Sequence, residues 1–564
     1  MLTTAVAHSV DHDAAAFYRQ LILAQVPRVL GLIDREALSP TSGCGDRTFW
    51  AWKFVDFPRS RFQEALCVMS FLYVTPLEGS ACHRNPQLLS WIAAGMRFWS
   101  GLQHGDGSFD EAYPFEQCLA ATAFTTFYVG EAYDLVKADL PEDVRAVVER
   151  TIAKSGTWLI HNDETHGFLS NHLAAAAGAL AQAYRVTGDE RFAARRDYFI
   201  ERILSHQSNE GWYDEYGGPD PGYQTHGTFY LARCWQLSGS ERLLASLQRS
   251  TAFLAHFIHP DGSLGGEYAS RNTQTYYPAG FEMLARADSS AAWIARTLRP
   301  SVATADAAGL PGIDSYNYFP FLNNLVFAYL AVTAGAATAA PVDPSADKDH
   351  VWLPDAGLAR VRTDRYVAFI GASKGGVIKV FDRERRTLVY SDCGYIGRTA
   401  GGALASSQHL DRQRSVSVDA AAIDVHSPFV RFSRPTMNPF LFIGFRTFTT
   451  TVGRSPRLAQ WLKNKLVKTL VYKQQRLQLT VRRRFEFDAQ GITVRDRFSN
   501  TAAAELTSLQ WASRFATIHM GSSRYFVNHE LAAIPAGGPV DVTGDAEIVR
   551  RVDVGPGPHT ERAQ

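Results

Sequence analysis

The sequence lacks paired cysteines. Its six, Cys44, Cys67, Cys82, Cys118, Cys234 and Cys393, are scattered, and no two stand in a CxxC spacing. That argues against a zinc ribbon or a thiol redox motif and leaves buried free thiols as the expectation. Net charge is nearly absent too, since 57 Lys and Arg offset 56 Asp and Glu for a formal +1. No global field draws the chain toward nucleic acid, so no nucleic-acid partner is expected. No apolar run is long enough to cross a bilayer. Residues 1–13 have neither a basic n-region nor a continuous apolar core, so no secretion signal is legible and the cytoplasm is the expected location. No metal-ligand cluster is legible either.

What remains is a globular composition, 46% hydrophobic and 20% charged over 564 residues, too long for one ordinary core. Apolar residues recur at three- and four-residue steps over 87–102, 116–137, 141–160, 173–187, 190–206, 228–237 and 241–258, which predicts helices. Turns around Gly107, Gly167, Gly211 and Gly262 punctuate them at intervals of 60, 44 and 51 residues. One helical hairpin takes about that length, so the pattern is a degenerate repeat of helix pairs. A closed ring buries both ends of such a stack, which predicts an (α/α) toroid over 1–335 rather than an open solenoid. A linker over 336–348 follows. Residues 349–564 then read as an antiparallel β-sandwich, with strands predicted over 358–363, 366–372, 376–381, 387–391, 415–418, 478–487 and 491–498. The last residues, 553–564, read as a loose tail.

The chemistry gathers in the toroid half. Asn171 and His172 are adjacent, and Tyr223 follows in the aromatic, glycine-rich stretch 211–226. An amide can neutralise a carboxylate by hydrogen bonding, a histidine can take a proton near neutral pH, and a tyrosine can act as acid or base. Together they suit removal of the proton beside a uronate carboxylate and expulsion of the 4-linked sugar. Asn171 also suits a helix N-cap, and the two roles are compatible. Polar-aromatic loops add Tyr113, Gln117, Gln224, His226, Arg271 and Tyr276 as candidate substrate-binding residues. Between Arg454 and Arg484 stand ten Lys or Arg residues and no acidic one. This predicts a basic amphipathic helical insertion near 455–475, which suits a membrane surface, a polyanionic chain or a solvated face.

Toroid, sandwich and these residues together resemble the heparinase II/III and alginate lyase superfamily of polysaccharide lyases. The family's Asn-His pair corresponds to Asn171 and His172, and its catalytic tyrosine, in a loop preceding a helix, to Tyr223. The following residues, Gln224, Thr225 and His226, depart slightly from the family's order. The family often adds a histidine from the sandwich, for which His409 is the candidate. The resemblance implies β-elimination on an acidic polysaccharide or oligosaccharide, catalysed by Asn171, His172, Tyr223 and His409. It implies no required cofactor, although such sandwiches can hold a structural zinc or calcium ion.

Other readings stay open at this level. A uronyl C5-epimerase uses the same proton abstraction. A glycoside hydrolase needs two carboxylates with separated roles; Asp106, Asp110, Asp214, Glu215 and Asp220 are available without forming a clear pair. A non-catalytic glycan-binding protein in exopolysaccharide assembly is a third. Oligomeric state is not legible.

Overall fold

The computed structural model describes residues 11–563 apart from 165–166, 306, 336–337, 348, 400, 412–414, 420, 434–435, 468–474, 501–505, 516, 518–524, 532–545 and 556–560. Parts of the expected linker (336–337 and 348), most of the end of the basic insertion (468–474) and His166 lie outside the described residues.

The first part is helical: α1 (His12–Leu32), α2 (Ala65–Val74), α3 (Pro86–Leu102), α4 (Leu119–Val136), α5 (Glu142–His161), α6 (Ser170–Thr187), α7 (Glu190–Ser205), α8 (Pro221–Ser238), α9 (Glu241–Ala255), α10 (Ala279–Leu284), α11 (Ser289–Leu298) and α12 (Tyr318–Thr333). Helices α2, α4, α6, α8, α10 and α12 each pack on the next, and α12 packs back on α2, closing an inner ring. These inner helices are buried on nearly every side, as their all-round apolar sequences require. The more amphipathic α5, α7, α9 and α11 lie outside, and α1 packs on α12. This is an (α/α) toroid. The repeat shows in matched contacts. Gln103 Nε2 donates to Gly107 O and Thr151 O, and Gln207 Nε2 donates to Gly211 O and Ser246 O. At both glycines φ is positive, and an added Cβ would meet a carbonyl of the next outer helix at about 2.4 Å, Lys154 O or Arg249 O. Only glycine fits there.

Two helix starts differ from expectation. Helix α8 begins at Pro221, because the Asp220 side chain accepts from Tyr223 N (3.0 Å) and proline suits the first helical turn. Tyr223 therefore sits in the first turn of the helix rather than in a preceding loop. Helix α6 begins at Ser170, so Asn171 lies inside it and is not its N-cap.

The second part is an antiparallel β-sandwich with strands β1 (His350–Leu353), β2 (Leu358–Arg362), β3 (Tyr366–Gly371), β4 (Val377–Asp382), β5 (Thr387–Asp392), β6 (Tyr395–Thr399), β7 (Leu404–Ser406), β8 (Ser415–Val418), β9 (Ala422–Phe432), β10 (Gln475–Phe487), β11 (Gly491–Asn500), β12 (Leu506–Trp511), β13 (Ala546–Asp553) and β14 (Glu561–Ala563). Among the described residues β1 to β5 form one sheet in chain order. The other runs β12-β6-β7-β9-β10-β11-β13-β14, with β8 on β9. The tail is not loose throughout, since β14 adds an edge strand to β13. Strands β3 and β4 are buried along their whole length. One face meets the second sheet and the other meets the toroid, where Phe369 stacks on Tyr268 and Phe381 on His259. Helices α13 (Pro439–Thr450) and α14 (Pro456–Val467) are inserted between β9 and β10. The basic α14 matches the expected insertion; α13 was not foreseen. Among the described residues no helix is long and apolar enough to cross a membrane.

A buried ionic network joins the two sheets. Arg483 donates to Asp392 (2.5 Å), to Asp496 (2.9 Å) and to Gly376 O (2.9 Å). Arg550 donates to the same two carboxylates and to Tyr395 Oη. Arg483, Asp392 and Asp496 are fully buried. Removing one partner leaves an uncompensated buried charge. We expect Arg483→Met to lower unfolding free energy by about 3–5 kcal/mol, measured by denaturant titration of the sandwich transition.

Candidate active site

Glu215 stands at the centre of the candidate residues. It lies in the loop before α8, is 1% exposed, and accepts from the backbone N–H of Asn171 (2.8 Å), from Asn171 Nδ2 (2.7 Å) and from Arg271 Nη1 (3.1 Å). Burial pushes its carboxyl up to about 7, against the pull of Arg271 and Asn171. The loop itself is fixed by a bridge to Leu169 and by Ser270 Oγ donating to Glu215 O (2.9 Å). The N-terminus of α6, the 214–218 loop and the 269–273 loop thus meet on one side chain.

Arg271 also lies face-on over the Tyr223 ring, its Cζ 3.5 Å from the ring centroid, and 4.9 Å from that of Tyr216. Its backbone N–H donates to Asp220, the residue that caps α8, so one carboxylate sets both the Tyr223 turn and the Arg271 loop. His172 Nδ1 is 2.8 Å from Glu164 Oε2. With Glu164 ionised, Nδ1 carries the proton and Nε2 is the basic nitrogen.

His226 is buried between two rings. It stacks on Tyr277 (4.2 Å) and on Phe124 (5.6 Å), and Phe124 meets His172 edge-on. Its Nε2 is 3.1 Å from Tyr230 Oη, which donates to Tyr128. Burial, with Arg61, His172 and Arg271 nearby, holds His226 well below the usual histidine range, so it is neutral.

His409 comes from the sandwich. Its Nδ1 faces Ser407 O (3.2 Å), and its Nε2 is 3.7 Å from Asp411. Ser407 O in turn lies under Gly375, next to the buried Lys374. Lys374 Nζ donates across the junction to Ala269 O, Ser270 O and Asn272 Oδ1, bracing the loop that carries Arg271. Burial pushes its ammonium down to about 7. Along the 214–218 loop, toroid and sandwich border an open groove of about 700 Å³ lined by His206, Trp212, Trp352 and Leu410.

Two features mark this end of the toroid as a site. Asn171 Oδ1, Arg271 Nε and His409 Nε2 are buried without hydrogen-bond partners, which costs stability unless a ligand satisfies them. Phe115, Gln117, Tyr216 and Asn272 hold positive φ without being glycine, and such strain gathers at functional loops.

The other expected residues are distributed less evenly. Gln224 turns into the core, its Oε1 accepting from Tyr213 N and its Nε2 donating to Ser250. Tyr276 packs on Phe281 in the field of Glu282, and its neighbour Tyr277 takes the place against His226. Both depart from the substrate-binding role expected of them, because each side chain is turned into the packed interior. Gln117 is half-buried, its backbone N–H held by Asp110. Tyr113 packs edge-on against Phe445 of α13. Sequence reading weighed Glu215 only as one of several carboxylates available to a hydrolase, and gave no site role to Glu164 or Tyr277. Among the described residues no three His, Cys, Asp or Glu side chains converge as metal ligands.

No protein-family profile and no curated protein matches the sequence. Solved structures do. The chondroitin AC lyase of Streptomyces coelicolor A3, in complex with chondroitin sulphate, superposes with a TM-score of 0.53 at 11% identity, over 90% of this chain and 69% of that one. A Paenibacillus xanthan lyase gives 0.52 at 10% identity, over 90% of this chain and 48% of that one. This chain therefore spans about half the xanthan lyase. The toroid-and-sandwich fold is the one it shares with these polysaccharide lyases.

The Glu215 environment makes a stability prediction. A carboxyl raised from its ordinary 4.5 to about 7 on folding binds protons more tightly in the native state. Its contribution to stability is therefore present below the ordinary value and is lost as pH rises to about 7. We expect the denaturation midpoint of Glu215→Gln to gain on wild type as pH rises across that window.

Proposed function

We propose that this protein cleaves a uronic-acid-containing glycan by β-elimination. The observation that carries the reading is the shared hold of Glu215 on Asn171 and Arg271, beside the Tyr223 ring and one residue from the His172–Glu164 pair. In this reading the uronate carboxylate lies against Asn171, whose amide has a second proton to give, and against the Arg271 guanidinium. Both stabilise the negative charge that moves onto the carboxylate as the C5 proton leaves.

His172 Nε2 or the Tyr223 phenolate takes that proton. The C5–H electron pair forms the C4–C5 double bond, the bond from C4 to the linking oxygen breaks, and Tyr223 returns a proton to that oxygen. His226, neutral and stacked between Phe124 and Tyr277, backs the site from beneath through Phe124, which meets His172 edge-on. His409, whose Nε2 makes no hydrogen bond though it lies 3.7 Å from Asp411, offers a contact from the sandwich side. The two lyases of like fold are a chondroitin lyase and a xanthan lyase, which supports an acidic polysaccharide as substrate.

The test is incubation with a panel of uronic-acid polymers and oligosaccharides, following the ultraviolet absorbance of the unsaturated product. We expect a rise on at least one substrate. Tyr223→Phe and His172→Ala should each lower kcat by about 10²–10⁴, and Asn171→Ala by about 10²–10³. Deuterium incorporation at C5 from D₂O with no absorbance change would instead identify an epimerase. Binding without either would identify a glycan-binding protein.

A further inference from the structure

Between Asp424 and Glu486 the chain contains no Asp or Glu. Helices α13 and α14 lie wholly within this stretch and carry Arg446, Arg457, Lys463 and Lys465, with Arg454 in the turn between them. One side of the pair is anchored to the toroid. Phe445 meets Tyr113, Arg446 pairs with Asp56 (3.0 Å) and lies over Phe57, and Arg454 lies over Phe115. Phe448 meets Trp461 across the pair. The opposite side is bare. The Asn438 side chain caps α13 by accepting from Leu441 N, yet the first turn of that helix presents Phe440 at 86% exposure, Leu441 at 59% and Ile443 at 61%. Met437, Val452 and Trp461 are exposed beside it, and the toroid adds Trp52 and Phe54, a few residues before the anchoring Asp56 and Phe57.

An apolar patch with a basic setting marks an interaction surface. Its partner must offer both negative charge and apolar depth. A second copy of this surface would set like charges against each other. A polyanionic glycan offers the charge but no medium for Phe440, Leu441 and Ile443. An anionic bilayer surface offers both, with headgroups for Arg and Lys and the acyl boundary for the apolar turn.

We propose that the α13–α14 hairpin, with Trp52 and Phe54, is a docking surface for an anionic lipid membrane. The protein lies on that surface and does not span it. The anchor loop at Tyr113 and Phe115 continues through Glu111 to Arg61, which lies over Phe124 beside His172 and His226. Docking therefore holds the candidate active site close to the lipid surface. The inference does not rest on the proposed reaction.

The test is co-sedimentation of the full chain with phosphatidylglycerol–phosphatidylcholine vesicles and with phosphatidylcholine vesicles, at low and high salt. Binding should require the anionic lipid and weaken with salt. The double substitution Phe440→Ser with Ile443→Ser, and separately Arg457→Gln with Lys465→Gln, should each lower vesicle affinity on the order of tenfold, with an unchanged thermal melt because these side chains are exposed and make none of the contacts that anchor the pair to the toroid. The proposal is overturned by equal binding to neutral vesicles, by no binding to anionic ones, or by variants that bind like wild type. It is also overturned by a solution dimer that Phe440→Ser dissolves, or by an acidic glycan binding the hairpin in place of lipid.

Discussion

A carboxylate buried at the end of the toroid, that of Glu215, constrains everything around it. Taking such a group out of water is unfavourable unless charged or polar donors surround it. Here the donors come from two separate segments, the first turn of α6 and the 269–273 loop, and converge on the loop before α8 that carries Glu215. None of those segments can shift without leaving the carboxylate short of a partner. The site is therefore built by satisfying one buried charge, and Asn171 and Arg271 acquire fixed positions as a result. Asp220 repeats the device on a smaller scale by capping α8 and holding the Arg271 and Thr273 backbone with the same side chain.

The sandwich completes the arrangement from the other side. Its first sheet is buried on both faces because it covers the toroid, and Lys374 reaches from it to three acceptors on the loop carrying Arg271. That sheet is in turn tied to the second by the Arg483 and Arg550 network. A chain of buried polar contacts thus runs from the sandwich interior to the candidate-site end of the toroid. Strained backbone at Tyr216 and Asn272 is tolerated where that chain ends, as expected where packing over-determines the geometry.

The helical half was legible because its apolar residues keep a 3.6-residue period and its turn glycines recur. Ring closure followed from the need to bury both ends of the stack. Strands β3 and β4 were legible from their apolar residues. Strands β1, β6, β7, β9, β12, β13 and β14 and helix α13 were missed; the shortest of these strands have too few residues for a clear period, and α13 opens on an exposed apolar turn. Asn171, His172 and Tyr223 were legible as residue types suited to one reaction, and Arg271 as part of a polar loop. Glu215 and Glu164 were not: each acts through a partner 44 or 8 residues away in sequence, and nothing local distinguishes a buried organising carboxylate from a turn residue. Gln224 and Tyr276 were misread because a helical turn or a single-residue step along a loop decides which way a side chain faces. Tyr277, one residue on, meets His226 instead.

A double-mutant cycle on kcat/KM, combining Glu215→Gln with Asn171→Ala on whichever uronic-acid glycan yields the unsaturated product, tests the account most directly. If Glu215 acts by holding Asn171 and Arg271, the two losses are strongly coupled and the double variant is little worse than the poorer single one. Losses that multiply independently would contradict the account, since Glu215 would then contribute by a route that does not pass through Asn171.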